Sequence, residues 1–173
     1  MNLIRLEKFS ETKFIGQNYP ASWGRIFGGQ ILAQSLNAAY QTVPENRIAH
    51  SLHGYFILMG DIDLPVEYEV DRIRDGNSFT TRRVVAYQNG KAIFNMAASF
   101  QKNESGVDHQ IDAPNILPPE VLTSDMQQVE RIKYKNPNYY KSLKKAQLKM
   151  FDIKPVEIMS HIETKNAIPY SHV

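Results

Sequence analysis

Side chains near the middle of the chain have the types and spacing to carry chemistry. A glycine pair, Gly28 and Gly29, opens an apolar helical pattern, and Gln30 follows in the first turn. Backbone N–H groups at a helix N-terminus stabilise an oxyanion, and glycine lets a ligand approach them closely. Alternatively, the two glycines only let the helix pack tightly against a sheet. Both interpretations stay open from the sequence.

Gln30 and His50 are the candidates for handling water and protons. An amide orients a water molecule or holds a carbonyl group, and imidazole suits proton transfer near neutral pH. Each also has a structural interpretation, as a side chain hydrogen-bonded inside the fold. His53 lies three residues after His50, so in a regular strand the two rings point to opposite faces. We therefore expect no histidine-pair metal site.

Arg82 and Arg83 are the candidates for binding phosphate. A guanidinium group offers paired N–H donors that match phosphate oxygens. The alternative is a solubilising role, and both arginines are predicted to lie on the rim of a sheet. Asp75, Asn77 and Ser78 are expected to serve turn formation.

One predicted helix, from Gly29 to Gln41, positions these candidates. Its apolar face follows the spacing four, three, four through Leu32, Leu36, Ala39 and Val43. The opposite face has only small or neutral residues, namely Gln30, Ala33, Gln34, Ser35, Asn37 and Ala38. A surface helix normally carries charges there, so we predict that this helix is wrapped on most sides. Pro44 ends the pattern.

An antiparallel sheet is predicted around that helix. Segments of period-two alternation cover residues 48–59, 66–71, 79–87 and 92–101, and a shorter candidate covers 12–17. The dipeptides Asp75-Gly76 and Asn89-Gly90 predict tight primed hairpins, because both readily take positive φ values. We therefore expect an α+β fold of roughly five strands and one long helix.

Composition narrows the class of protein. The chain has 173 residues, 42% of them hydrophobic, a net charge of +2 and no cysteine. This fits one domain with an appendage, in a cytoplasmic protein without a nucleic-acid or membrane partner. Residues 103–123 are proline-rich and predict a linker, and residues 125–151 predict helices interrupted at Asn136-Pro137.

A basic run in the predicted extension has two interpretations. Its lysines lie three to four residues apart, at Lys141, Lys144, Lys145 and Lys149. This spacing places them on one helix face, and we favour a solvated face over a surface for nucleic acid or membrane.

Several separated blocks of the sequence stand in a recognisable order. They are RIFGGQILAQSL at residues 25–36, TVPE at 42–45 with HSLHGYF at 50–56, RDGNSF at 74–79 with RRV at 82–84, and ASFQ at 98–101. Together they resemble the signature of the acyl-CoA thioesterase II family. The resemblance runs from about residue 6 to about residue 112. In one departure, Leu58-Met59 precedes Gly60-Asp61 where the family usually has Arg-Pro.

The resemblance implies a hotdog fold, in which an antiparallel sheet wraps one long central helix. We expect a single hotdog domain at residues 1–112, then a linker and helical extension at 113–173 leading toward a second hotdog domain. It also implies acyl-CoA as the substrate, and we expect no cofactor and no metal. We place the catalytic candidates His50 and Gln30 and the substrate-binding candidates Gly28, Gly29, Arg82 and Arg83 in that context.

The family's catalytic Asp, Thr or Ser, and Gln belong to its second hotdog domain, so the resemblance places this chain in the N-terminal half. The helix from Gly29 to Gln41 contains no Asp or Glu. We therefore expect weak hydrolysis of acyl-CoA or none. The alternative function is a catalytically silent module that binds acyl-CoA or a partner subunit. An open sheet edge predicts a homodimer with sheets side by side.

Overall fold

The computed structural model describes residues 3–20, 24–131, 133–146 and 151–156. The chain forms two compact units, Met1–Val107 and Asp108–Val173. The division predicted at residue 112 stays a prediction. Our expectations for Lys149 and for residues 157–173 lie outside the described residues.

The first unit is a six-stranded antiparallel sheet with one long helix. In chain order the elements are β1 (Leu6–Lys8), β2 (Lys13–Gly16), α1 (Gly28–Tyr40), β3 (Arg47–Phe56), β4 (Val66–Asp75), β5 (Phe79–Gln88) and β6 (Lys91–Lys102). The strands lie in the order β1-β2-β4-β5-β6-β3, and each neighbouring pair is antiparallel. The sequence predicted roughly five strands. The strand that it did not predict is β1, whose three residues are too few for an alternating pattern.

The helix α1 packs its small and neutral residues on the sheet. Its buried positions are Gln30, Ile31, Gln34, Ser35, Ala38 and Ala39. Leu32 and Leu36 of the apolar face are half-buried and pack against the same core. The helix is therefore covered on both faces, as predicted, and its uncharged face is the more deeply buried one. Small side chains allow the close approach of helix and sheet, and this leaves the larger apolar residues at the side of the helix.

The core lies between α1 and the inward-facing strand residues. Val66, Tyr68 and Val70 of β4 are buried and alternate with exposed Glu67 and Glu69, as the pattern predicts. The other inward residues of the sheet include Phe14, Val84, Ala86, Phe94, Met96, Ala98 and Phe100. Each large apolar side chain buried in this way contributes about 1.5–3 kcal/mol, so this core holds the sheet around the helix.

The two predicted hairpin turns differ. Asn89 and Gly90 have φ values of 48° and 69°, which confirms a primed turn between β5 and β6. The connection after Asp75 is longer: Gly76, Asn77 and Ser78 separate β4 from β5, and none of them has a positive φ. The primed turn predicted there is wrong. The Gly76 N–H instead donates to the Phe79 carbonyl oxygen at 2.8 Å.

The second unit contains a pair of short helices, α2 (Asp125–Arg131) and α3 (Pro137–Ala146), after a 3-10 turn at Pro119–Val121. Pro137 begins α3, so the predicted interruption is confirmed. The Tyr140 hydroxyl donates to Glu130 Oε1 at 2.6 Å, and Lys144 Nζ donates to both groups. The hydrogen bond from Tyr140, followed by the Lys144 ammonium, lowers the pKa of the Glu130 carboxyl. Among the described residues no helix is long and apolar enough to cross a membrane.

Candidate functional site

A groove of about 420 Å³ lies at the N-terminus of α1. Its walls are mainly apolar and come from the segment before α1, from α1 itself and from the end of β3 with the residues after it. The lining residues are Arg25, Ile26, Gly28, Ile31, Phe56, Ile57, Leu58, Met59 and Gly60. The volume lies within the range typical of small-molecule sites, which is about 300–1,000 Å³.

The glycine pair has a packing role at this groove. A Cβ on Gly28 would lie 2.9 Å from the ring of Phe56, and one on Gly29 would lie 2.4 Å from the ring of Phe27. Tight packing, one of the two interpretations of the pair, therefore describes both positions. The first N–H groups of any helix also have no acceptor within the helix. Gly28 lines the groove, so it brings a helix N-terminus to an apolar cleft.

Gln30 is buried, and its amide is fully used inside the protein. Its Oε1 accepts from the Tyr19 N–H at 3.0 Å. Its Nε2 donates to the Gln17 carbonyl oxygen at 3.2 Å and to Asn18 Oδ1 at 3.0 Å. This is the structural interpretation of Gln30, and no hydrogen atom of its amide is left over to orient a water molecule.

His50 lies on the face of the sheet that points away from α1. It is the extra residue of a β-bulge between Ala49 and Ser51, and its Nε2 lies 2.9 Å from Ser99 Oγ. Ser99 alternates with the buried Ala98 and Phe100, so it faces outward. The bulge also places His50 and His53 on the same face, which corrects the expectation of opposite faces.

The structure does not bring His50 and the glycine pair together. Gly28 meets Phe56 at the far end of β3, six residues from His50. At about 3.3 Å per residue this separates the Cα atoms of His50 and Phe56 by about 20 Å. His50 also lies on the other side of the sheet. Gly28, Gly29 and Gln30 therefore form one location and His50 another.

Arg82 is buried, and it does not lie on the rim as we expected. It is 1% exposed, and its five N–H donors make five hydrogen bonds within the protein. The acceptors are Thr42 Oγ1, Asp75 Oδ1 and the carbonyl oxygens of Thr42, Arg74 and Thr81. Arg83 is exposed and donates to Asp71 Oδ2 at 2.9 Å. Only Arg83 could exchange its partner for a phosphate group.

Two buried polar residues that hold the fold were missed from the sequence, Gln34 on α1 and Arg47 at the start of β3. Gln34 donates to the carbonyl oxygens of Leu3 and Gln17 and accepts from the Tyr68 hydroxyl at 2.6 Å. Arg47 donates to three successive carbonyl oxygens, those of residues 76–78. The available signal for Gln34 was its position one turn after Gln30 on an uncharged helix face. No comparable local signal pointed to Arg47.

Burial raises the pKa of the Tyr68 hydroxyl far above its ordinary value. Tyr68 therefore stays protonated and keeps donating to Gln34. Among the described residues no group of three or more histidine, aspartate or glutamate side chains could hold a metal ion.

The chain is similar to known acyl-CoA thioesterases. Residues 19–101 match the sequence model of the family described as "Acyl-CoA thioesterase N-terminal domain". Acyl-CoA thioesterase 2 of Haemophilus influenzae is 38% identical over 132 residues, which cover 76% of this chain and 46% of that protein. The chain thus spans about half the length of this relative.

Solved structures agree with this similarity. The acyl-CoA thioesterase II TesB2 from Mycobacterium marinum matches with a TM-score of 0.62 and 37% identity, over 76% of this chain and 48% of that chain. A protein with a hotdog fold from Alicyclobacillus acidocaldarius matches with a TM-score of 0.59 and 23% identity, over 71% and 47%. The predicted hotdog fold is therefore confirmed. By sequence and by fold, residues 19–101 of this chain are an acyl-CoA thioesterase N-terminal domain.

Proposed function

We propose that this chain is the N-terminal half of an acyl-CoA thioesterase, and that its groove at the α1 N-terminus binds the acyl part of acyl-CoA. The observation that carries the proposal is the groove itself, with its apolar walls and Gly28 at its edge. An acyl chain gains free energy when it leaves water for such walls. The thioester carbonyl then lies near the N–H groups of Gly28 and Gly29, where partial positive charge favours an oxyanion.

The reaction of the complete protein is hydrolysis of acyl-CoA to a free fatty acid and CoA. It needs a base that activates water, and α1 supplies none because it contains no Asp or Glu. His50 lies on the opposite face of the sheet and does not reach the groove. The groove therefore supplies binding and charge stabilisation, and the base comes from residues outside this domain.

A second candidate function is acyl-CoA binding without hydrolysis. The absence of a carboxylate from α1 favours it. Loss of a general base typically lowers a rate about a hundredfold to ten-thousandfold, so a domain with a groove and no base binds substrate and releases it unchanged.

In this proposal, a second hotdog domain covers the exposed apolar side chains of β3 beside the groove. β3 is an edge strand, and its side chains Leu52, Tyr55 and Phe56 are exposed by 40%, 62% and 61%. Leu32 and Leu36 of α1 are half-buried. An apolar edge strand is a template for pairing. For the isolated chain of 19.8 kDa we propose a homodimer through β3, and light scattering that reports a monomer at micromolar concentration counts against it.

Binding of a long-chain acyl-CoA, measured by calorimetry, tests the groove. Met59→Glu places a charge on a groove residue that is 78% exposed, so folding is preserved while the acyl chain is repelled. We expect affinity to fall at least about tenfold. Phe9→Glu is the matched control, since Phe9 is 74% exposed and lies outside this groove.

A thiol-release assay on the same variants separates the two candidate functions. We expect the chain alone to release CoA slowly or not at all, and His50→Ala to change neither binding nor release. The absence of saturable acyl-CoA binding, or equal binding by the Met59→Glu variant, would contradict the proposed site.

A further inference from the structure

We infer that four side-chain amides, those of Gln34, Gln30, Asn18 and Gln88, form a continuous chain that positions the wall of the groove. We call it the amide chain. This inference rests on the proposed function and adds positioning residues that never touch the ligand. Gln34, Gln30 and Gln88 are buried. In all four side chains the amide oxygen accepts a hydrogen bond and the amide nitrogen donates at least one.

The amide chain begins on α1. Gln34 and Gln30 lie one turn apart and both donate to the Gln17 carbonyl oxygen, at 3.0 and 3.2 Å. Gln30 also donates to Asn18 Oδ1 and accepts from the Tyr19 N–H, both at 3.0 Å. Residues 17–19 are therefore held on the helix by side chains of its first two turns.

Asn18 carries the amide chain across to the loop at residues 61–65. Its Nδ2 lies 2.5 Å from the Leu64 carbonyl oxygen and 3.3 Å from those of Asp61 and Ile62. Gln88, at the end of β5, holds the same loop through two of the same carbonyl oxygens. Its Nε2 donates to the carbonyl oxygens of Asp61 and Leu64 at 2.8 and 2.7 Å, and its Oε1 accepts from the Asp61 N–H at 2.8 Å.

This loop fixes the groove directly. Gly60 precedes it and lines the groove, and the Gly60 carbonyl oxygen accepts from the Ile26 N–H at 3.1 Å. A Cβ on Gly60 would lie 2.7 Å from Ile26 Cδ1, so the two segments are in close contact. The hydrogen bonds to Asp61 therefore also fix its neighbour Gly60. Gly60 in turn fixes Ile26, and both residues line the groove.

Amides suit this task because each one donates and accepts at once. A carboxylate of the same shape could accept only, and it would face the carbonyl oxygens of the loop. The amide chain is also neutral at every ordinary pH, so it positions the wall without bringing charge to an apolar groove.

The test replaces one amide by its isosteric carboxyl group. Asn18→Asp and Gln88→Glu each remove one of the two side-chain donors to the Asp61 and Leu64 carbonyl oxygens. We expect hydrogen exchange at the Ile26 and Asp61 amides to rise about tenfold at neutral pH. Acyl-CoA affinity should fall by a similar factor. The matched control is Gln101→Glu, the same change at an exposed position of β6.

Low pH supplies a second readout that a general loss of stability would not give. Protonation of the introduced carboxyl group restores one donor, so protection at Ile26 and Asp61 should return relative to wild type and control. Unchanged exchange in both variants overturns the amide chain and leaves the proposed function intact. Faster exchange with unchanged acyl-CoA affinity overturns its positioning role. Failure of the wild-type chain to bind acyl-CoA overturns the proposed function, and with it the ligand that the amide chain serves.

Discussion

The two ends of α1 are fixed by opposite kinds of polar group. At the N-terminal end, next to the groove, the neutral amides of Gln30 and Gln34 hold the neighbouring loop. Beyond the C-terminal end, the guanidinium group of Arg82 donates to the Thr42 carbonyl oxygen and pairs with Asp75 at 2.6 Å. The guanidinium group of Arg47 donates to the Gly76 carbonyl oxygen in the connection between β4 and β5.

The two ends of α1 differ in whether they contain a buried charge. A buried guanidinium group makes many strong hydrogen bonds but brings a charge, and burial of that charge costs free energy unless hydrogen bonds and an opposite charge compensate it. All five donors of Arg82 are paired, whereas the buried Nε of Arg47 has no partner among the described residues. The amides fix backbone at lower electrostatic cost. Charged side chains thus anchor the C-terminal end of α1, and neutral amides fix the N-terminal end, where an acyl chain is proposed to bind.

The largest expected effect is at the charged end. Arg82→Met removes five hydrogen bonds and leaves the carbonyl oxygens of Thr42, Arg74 and Thr81 without that donor. We expect the free energy of unfolding to fall by about 3 kcal/mol. In a chain of this length the melting temperature then drops by about 6–12 °C, as calorimetry can measure.

Arg83→Met is the matched control for that measurement. Arg83 is the next residue, is exposed and pairs with exposed Asp71, so its loss should cost at most about 1 kcal/mol. Equal melting temperatures for the two variants would refute the anchoring role given to Arg82.

A smaller effect is expected at the neutral end. Tyr68→Phe removes the hydroxyl that donates to Gln34 Oε1 and should lower the free energy of unfolding by about 1–2 kcal/mol. Burial raises the pKa of Tyr68, so the folded protein keeps this proton at a pH where the unfolded chain, with a pKa of about 10, loses it. Its contribution is therefore present below about pH 10 and decreases as the pH rises further.

Denaturant titrations between neutral pH and about pH 11 check this sign. The wild type should lose stability more steeply at alkaline pH than the Tyr68→Phe variant. Tyr55→Phe, at a position that is 62% exposed, should keep the wild-type slope. Parallel slopes for all three proteins would show that Tyr68 is not protected in the folded state.

The smallest effect separates charge from hydrogen bonding at the charged end. Asp75→Asn keeps an oxygen for Arg82 and removes the negative charge, and the Asp75 side chain is 57% exposed. We expect a loss of about 0.5–1 kcal/mol that diminishes with added salt. A loss as large as that of Arg82→Met would mean that the ion pair, more than the hydrogen-bond geometry, fixes this end.

The sequence by itself determined the long elements and their order. Helical spacing placed α1 within one residue of its observed start and end, and alternation located β4, β5 and β6. Asn89-Gly90 specified its turn because both residues readily take the positive φ values that a type I′ hairpin turn requires. These features depend on neighbours along the chain, so periodicity and turn chemistry suffice to predict them.

Only the tertiary structure decided which face each residue uses and which residues meet. One bulged residue in β3 turned His50 outward, because the side-chain period is two and an extra residue reverses it. Arg82 is buried because Thr42 and Asp75, 40 and 7 residues away, supply its acceptors. The amide chain joins α1, two loops and β5, so its bonds are long-range pairings that no local pattern of the sequence records.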